Sequence, residues 1–217
     1  MAYQLDAICE SGLKFFGKIS ASISHEIKNT LAIINENAGL LEDFAFMSEK
    51  GTPIDPERIK NLAGKILNQV NRSDDIIKRL NKFAHSIDEI SKQVNIYEQL
   101  EFILKLYDRF LSQKGITLKL NKPEKNFILT TIPYFFKNLL CLCLDFAMPL
   151  CGDNKIININ LEKMGNKYKI KFSNLKGITE SHLKDFPSDK EKQLMVVLKS
   201  ELEINANTGE ISIYFTE

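Results

Sequence analysis

The sequence predicts an α+β protein: a helical hairpin that forms a dimeric four-helix bundle, followed by an α/β sandwich with a largely antiparallel sheet. Three observations predict it. Up to about Ser91, apolar residues recur at alternating spacings of three and four, which lays a stripe along a helix. A cluster of breakers from Ser48 to Glu57, holding Gly51, Pro53 and Pro56, splits that region in two. Beyond it the pattern turns to short alternating runs separated by turn residues, as strands require.

Within the first helix the stripe reads Ile27, Leu31, Ile34, Ala38 and Leu41. The second helix has a clear start: Asp55 can cap, Pro56 suits the first helical position, and Glu57 complements the positive helix end. Its stripe runs Ile59, Leu62, Ile66, Val70, Ile76, Leu80, Phe83, Ile87 and Ile90. A lone hairpin leaves both stripes partly uncovered, so a homodimer is expected. The alternative is that they pack on the chain's own second half. Val94 to Lys114 reads as a further helix, Lys114 to Leu120 as a strand, and Asn126 to Met148 as a short strand and a very apolar helix. Lys155 to Lys163 and Lys167 to Asn174 form a hairpin around Met164-Gly165-Asn166. A helix around Lys190 to Ser200 and two strands around Thr208-Gly209 complete the chain. The expected division is residues 1–91 and residues 92–217.

Bulk properties narrow the function classes. With 217 residues, 44% hydrophobic and 26% charged, the composition is that of an ordinary globular protein. A net charge of +1 gives no broad field to recruit nucleic acid or an anionic membrane. No signal peptide is read in the first residues, and Leu139 to Leu150 is too short to span a bilayer. Cys9, Cys141, Cys143 and Cys151 show neither CxxC pairing nor metal-ligand spacing, so they are expected to be reduced thiols of a cytoplasmic protein. No metal or cofactor is expected.

His25 lies two positions before the first stripe, among the polar residues Ser24, Glu26, Lys28 and Asn29, on a face that a partner can reach. A lone helix histidine is usually only a solvated side chain. Its context is more specific. The string from Ser24 to Leu41, SHEIKNTLAIINENAGLL, resembles the phosphoacceptor box of sensor histidine kinases, a Ser-His-Glu-x-x-Asn-Pro-Leu pattern on the first helix of a dimeric hairpin. The match covers His25, Glu26, Lys28, Asn29 and Leu31, with Thr30 in place of the usual proline. The resemblance implies that His25 is the phosphoacceptor and that Glu26 hydrogen-bonds its ring. It further implies that Asn29 can orient a water, and Lys28 could supply positive charge. His85 and His182 lack such surroundings.

The second half resembles the kinase ATP-binding domain, with its nucleotide positions lost. Asn138 fits the first asparagine of the Asn-x-x-x-Asn-Ala helix, but Leu142 stands where the Mg²⁺ ligand belongs, and an alkyl chain cannot coordinate a hard cation. In the string Ser173 to Ile178, Ser173 replaces the adenine-binding aspartate and Leu175 a glycine, while Gly177 and Ile178 remain. The segment from Phe186 to Met195 lacks the glycine-rich lid. The resemblance therefore implies a histidine kinase-like phosphotransferase with a degenerate ATP-binding domain. It would shuttle phosphoryl groups between His25 and response-regulator receiver domains, with Mg²⁺ on the receiver only, and ATP-dependent kinase activity is not expected. Two other readings stay open: a response-regulator phosphatase working through Asn29, and a non-catalytic dimeric module that inhibits or scaffolds a kinase or regulator.

Overall fold

The computed structural model describes residues 2–217, so Met1, where the first expected domain begins, lies outside the described residues. The chain divides into two compact units: Gly17–Ala84, and a second one joining His85–Glu217 with the residues up to Phe16.

The first unit is the hairpin. Helix α1 spans Ala2–Glu49, of which Gly17–Glu49 lies in this unit. It ends at Gly51, whose φ of 81° is the left-handed conformation that a side chain would penalise. The Thr52 amide reaches the Met47 carbonyl at 3.0 Å and the Gly51 amide the Ser48 carbonyl at 2.9 Å, closing the last turn. Helix α2 spans Pro56–Ala84. Its start follows the sequence expectation, for Asp55 Oδ1 accepts from the Glu57 amide at 2.9 Å and Pro56 opens the helix.

Each helix carries a sevenfold buried series. On α1, Ile23, Thr30 and Asn37 are buried; on α2, Leu62, Ile76 and Phe83 are. The predicted stripe is left partly uncovered, as a lone hairpin leaves it. The stripe Ile27, Leu31, Ile34, Ala38 and Leu41 is not the buried face of the hairpin: Leu31 is 49% exposed and the rest are half-buried. The inward series was hidden because two of its members, Thr30 and Asn37, are polar. Thr30 Oγ1 is satisfied by the Ile27 carbonyl at 2.8 Å and by Ser73 Oγ at 2.7 Å, while Asn37 Nδ2 donates to the Ile33 carbonyl at 2.6 Å.

The second unit begins where α2 ends, earlier than its apolar spacing suggests. A short 3₁₀ turn covers His85–Ile87, so Ile87 and Ile90 lie off the helix. Val94 is also not helical. It sits in strand β1, Lys92–Asn95, which pairs antiparallel with β3, Ile128–Thr131. Asn95 then caps helix α3, Ile96–Lys114, accepting from the Tyr97 and Glu98 amides.

The main sheet has the order β2-β4-β5-β7-β6: Thr117–Leu120, Ile156–Met164, Lys167–Ser173, Glu210–Thr216 and Ser200–Asn205. Only the β2–β4 pair is parallel. Alternation decides the faces. Tyr168, Ile170 and Phe172 of β5 are buried, while Lys167, Lys169 and Lys171 lie on the other side. Helix α4, Pro133–Ala147, is buried along most of its length and packs onto the sheet, with the Phe136 and Phe215 ring centres 5.0 Å apart. Helices α5, Glu180–Asp185, and α6, Asp189–Leu198, complete the layer. No described helix is long and apolar enough to cross a membrane.

Candidate functional site

Helix α1 positions the site because it runs unbroken through Thr30. A proline there would remove a backbone donor and clash with the preceding turn. Threonine keeps the ladder and turns its hydroxyl inward to Ser73. His25 is consequently held on a regular helix and is exposed, as are Ser24, Lys28 and Asn29. Lys28 and Asn29 stand three and four positions beyond His25, so the three side chains share one solvent-facing patch. Among the described residues none hydrogen-bonds the His25 ring. Its nitrogens are open to an incoming group.

Glu26 departs from the expected arrangement. One position past His25, it is turned about 100° around the helix. There it is half-buried and meets α2, where Arg79 Nη2 donates to Glu26 Oε2 at 3.1 Å. The structure thus brings His25, Lys28 and Asn29 together and gives Glu26 to Arg79. Sequence reasoning named Thr30 only as the replacement for proline, and missed Arg79 and Ser73 as parts of the site. A signal existed: once the turn at Gly51 and the cap at Asp55 fix the hairpin, antiparallel register sets the late part of α2 beside residues 26 to 30.

The positions that the resemblance assigns to nucleotide are all in the second unit. Asn138 is buried and donates through Nδ2 to Ser11 Oγ of α1 at 3.0 Å. Nearby, Tyr134 donates to the Gly12 carbonyl at 2.6 Å, and burial pushes its phenol up to about 12. Leu142 is half-buried on α4, and one turn on Phe146 stacks against Phe186 with ring centres 4.1 Å apart and planes 11° from parallel. The His182 ring meets Phe146 edge-on at 6.3 Å. Most of the stretch from Phe186 to Met195 is helix, since α6 starts at Asp189. Ser188 caps α6, and buried Glu191 accepts from the Ser188 amide at 2.8 Å, a reciprocal capping box. Ser173 ends β5, Leu175 is buried, and Gly177 keeps a left-handed φ of 78°. Among the described residues no cluster of His, Cys, Asp and Glu is placed to hold a metal ion.

Neither a protein-family model nor a curated protein matches the chain. Solved structures similar to it are histidine kinases. One is the histidine kinase AdeS of Acinetobacter baumannii, at 16% identity and a TM-score of 0.48, with 88% of this chain and 97% of that one covered. The catalytic domain of the histidine kinase ThkA is 14% identical with a TM-score of 0.49, covering 58% of this chain and 95% of that chain. ThkA in complex with the response regulator protein TrrA is 20% identical with a TM-score of 0.48, over 94% of this chain and 62% of that one.

Proposed function

We propose that this chain is a histidine phosphotransferase of a two-component phosphorelay, in which His25 takes a phosphoryl group from one response-regulator receiver and gives it to another. The observation that carries this reading is the exposed His25 on an unbroken helix, with Lys28 and Asn29 on the same exposed patch. Transfer balances within the two proteins. A lone pair of the imidazole attacks phosphorus, the bond from phosphorus to the aspartyl oxygen breaks, and the carboxylate leaves with the electron pair. The product is a phosphoramidate on His25, and the same steps in reverse load a second receiver. Receiver-bound Mg²⁺ supplies the metal, so this chain contributes the nucleophile, the positive charge of Lys28 and the docking helix.

Supply from a protein rather than from ATP is supported by Leu142 at the metal-ligand position, Ser173 at the adenine position, and the Phe146–Phe186 stack beside a helical lid segment. Dimerisation along the hairpin is supported by apolar side chains left uncovered on it: Leu31 is 49%, Leu67 62% and Val70 47% exposed. The proposed particle is a cytoplasmic homodimer that meets receiver domains and neither nucleic acid nor membrane.

The test uses a receiver domain carrying radiolabelled aspartyl phosphate. Label should move to the wild-type chain, resist alkali and be lost in acid, and it should be absent from His25→Ala. Equal labelling of both would sink the assignment. Exposed Asn29, four residues from His25, favours a second activity, the positioning of water for receiver dephosphorylation. Receiver phosphate would then disappear without label accumulating on this chain, and Asn29→Ala would stop it.

A further inference from the structure

Two polar links cross the hairpin beside His25. Arg79 holds Glu26 at 3.1 Å, with side chains 24% and 13% exposed, and one turn further along α1 Thr30 meets Ser73 at 2.7 Å. They bracket the turn that presents Lys28 and Asn29. The other charged side chains at this level are Lys28 on α1, and Asp75, Lys78 and Lys82 on α2, of which Lys78 is tied to Asp74 at 2.5 Å. Glu26 is therefore the carboxylate adjacent in sequence to the reacting imidazole, and its charge is matched by a guanidinium from the opposite helix.

An arriving aspartyl phosphate carries close to two negative charges of its own. An uncompensated carboxylate one residue from the nucleophile would repel it, and the shielded setting makes that repulsion larger than in bulk water. We propose that Arg79 is a positioning residue for phosphoryl transfer, which masks the Glu26 carboxylate and holds it across the hairpin, so that the phosphoryl group approaches His25 past a neutral pair. This rests on the reading of His25 as the phosphoacceptor. Glu26 is then held away from the ring by Arg79 and takes no part in the transfer itself. A guanidinium suits the task, since it stays charged and offers several donors to a carboxylate and its surroundings.

The experiment measures single-turnover transfer from a labelled phosphoreceiver at saturating and subsaturating concentrations, on the full chain, with thermal melting of every variant. Arg79→Gln uncovers the carboxylate and should slow the saturated transfer rate about tenfold, from a like-charge repulsion acting over roughly 6 Å. The concentration giving half-maximal rate should change less. Arg79→Lys keeps the charge and should stay within about threefold of wild type. Glu26→Gln should transfer at close to the wild-type rate, and the double variant Arg79→Gln/Glu26→Gln should recover most of what Arg79→Gln lost. A merely structural ion pair predicts the opposite pattern, with both single variants slow and the double variant no faster. That pattern, or an unchanged Arg79→Gln rate, overturns the proposal. If Arg79→Gln melts too low to assay, Glu26→Gln alone decides: a large loss of rate would mean that the carboxylate itself serves the chemistry. Failure of the phosphoacceptor reading is separate, since it appears as label persisting on His25→Ala.

Discussion

The hairpin unit and the sandwich unit make opposite use of their polar residues. In the hairpin, His25, Lys28 and Asn29 face solvent with no internal obligations, while Glu26 and Thr30 are spent on bonds to Arg79 and Ser73. In the sandwich, the residue types that would meet a nucleotide are either replaced, as at Leu142 and Ser173, or turned inward, as Asn138 is toward Ser11. Aromatic stacking between Phe146 and Phe186 then fills the flank of α4 that carries Leu142. The difference is one of exposure: the hairpin leaves this polar group facing solvent, and the sandwich buries or replaces its counterparts.

That comparison can be broken from either side. The largest effect should come from the scaffold: Phe172→Ala removes a fully buried ring from β5 and should cost about 3–5 kcal/mol, read as a lowered denaturation midpoint. Next comes the continuity of α1 at Thr30. Thr30→Pro should cost about 3 kcal/mol by deleting a helical hydrogen bond, and it also removes the hydroxyl that reaches Ser73; circular dichroism melting checks it. Removing only one side of that link, by Ser73→Ala, should cost about 1 kcal/mol. On the uncovered face, Leu67→Asp should leave thermal stability of the sandwich unchanged and weaken self-association by more than about tenfold, measured by sedimentation. The smallest effect should be none at all. Restoring Asn at Leu142 and Asp at Ser173 together should give no saturable heat with Mg-ATP, because the Phe146–Phe186 stack and the helical lid segment remain.

Much of the fold was legible because its causes are local. Asp55, Pro56 and Gly51 announce the two ends of the hairpin turn through capping and a left-handed residue, and both are seen. Period-two alternation is likewise seen along β5 and in the first half of β4. What escaped depends on partners far away in sequence. Strand β1 is only four residues long and exists through its pairing with β3, so Val94 reads as the start of a helix. The inward series of α1 was not read because Thr30 and Asn37 satisfy their polar groups within the hairpin, and hydrophobic spacing cannot see that. His25, Lys28 and Asn29 were legible as one exposed group from helix geometry plus the resemblance of their box. The partner of Glu26 was not, since Arg79 lies fifty-three residues away and reaches it through register alone.

The most direct measurement sets two phosphate donors side by side on the wild-type chain and on His25→Ala: radiolabelled ATP with Mg²⁺, and a receiver domain bearing radiolabelled aspartyl phosphate. The account predicts label from the receiver alone, on wild type alone, in an acid-labile and alkali-stable bond. Label from ATP that disappears with His25→Ala would contradict it, because the sandwich would then be feeding the histidine that it is here argued to leave to an outside protein.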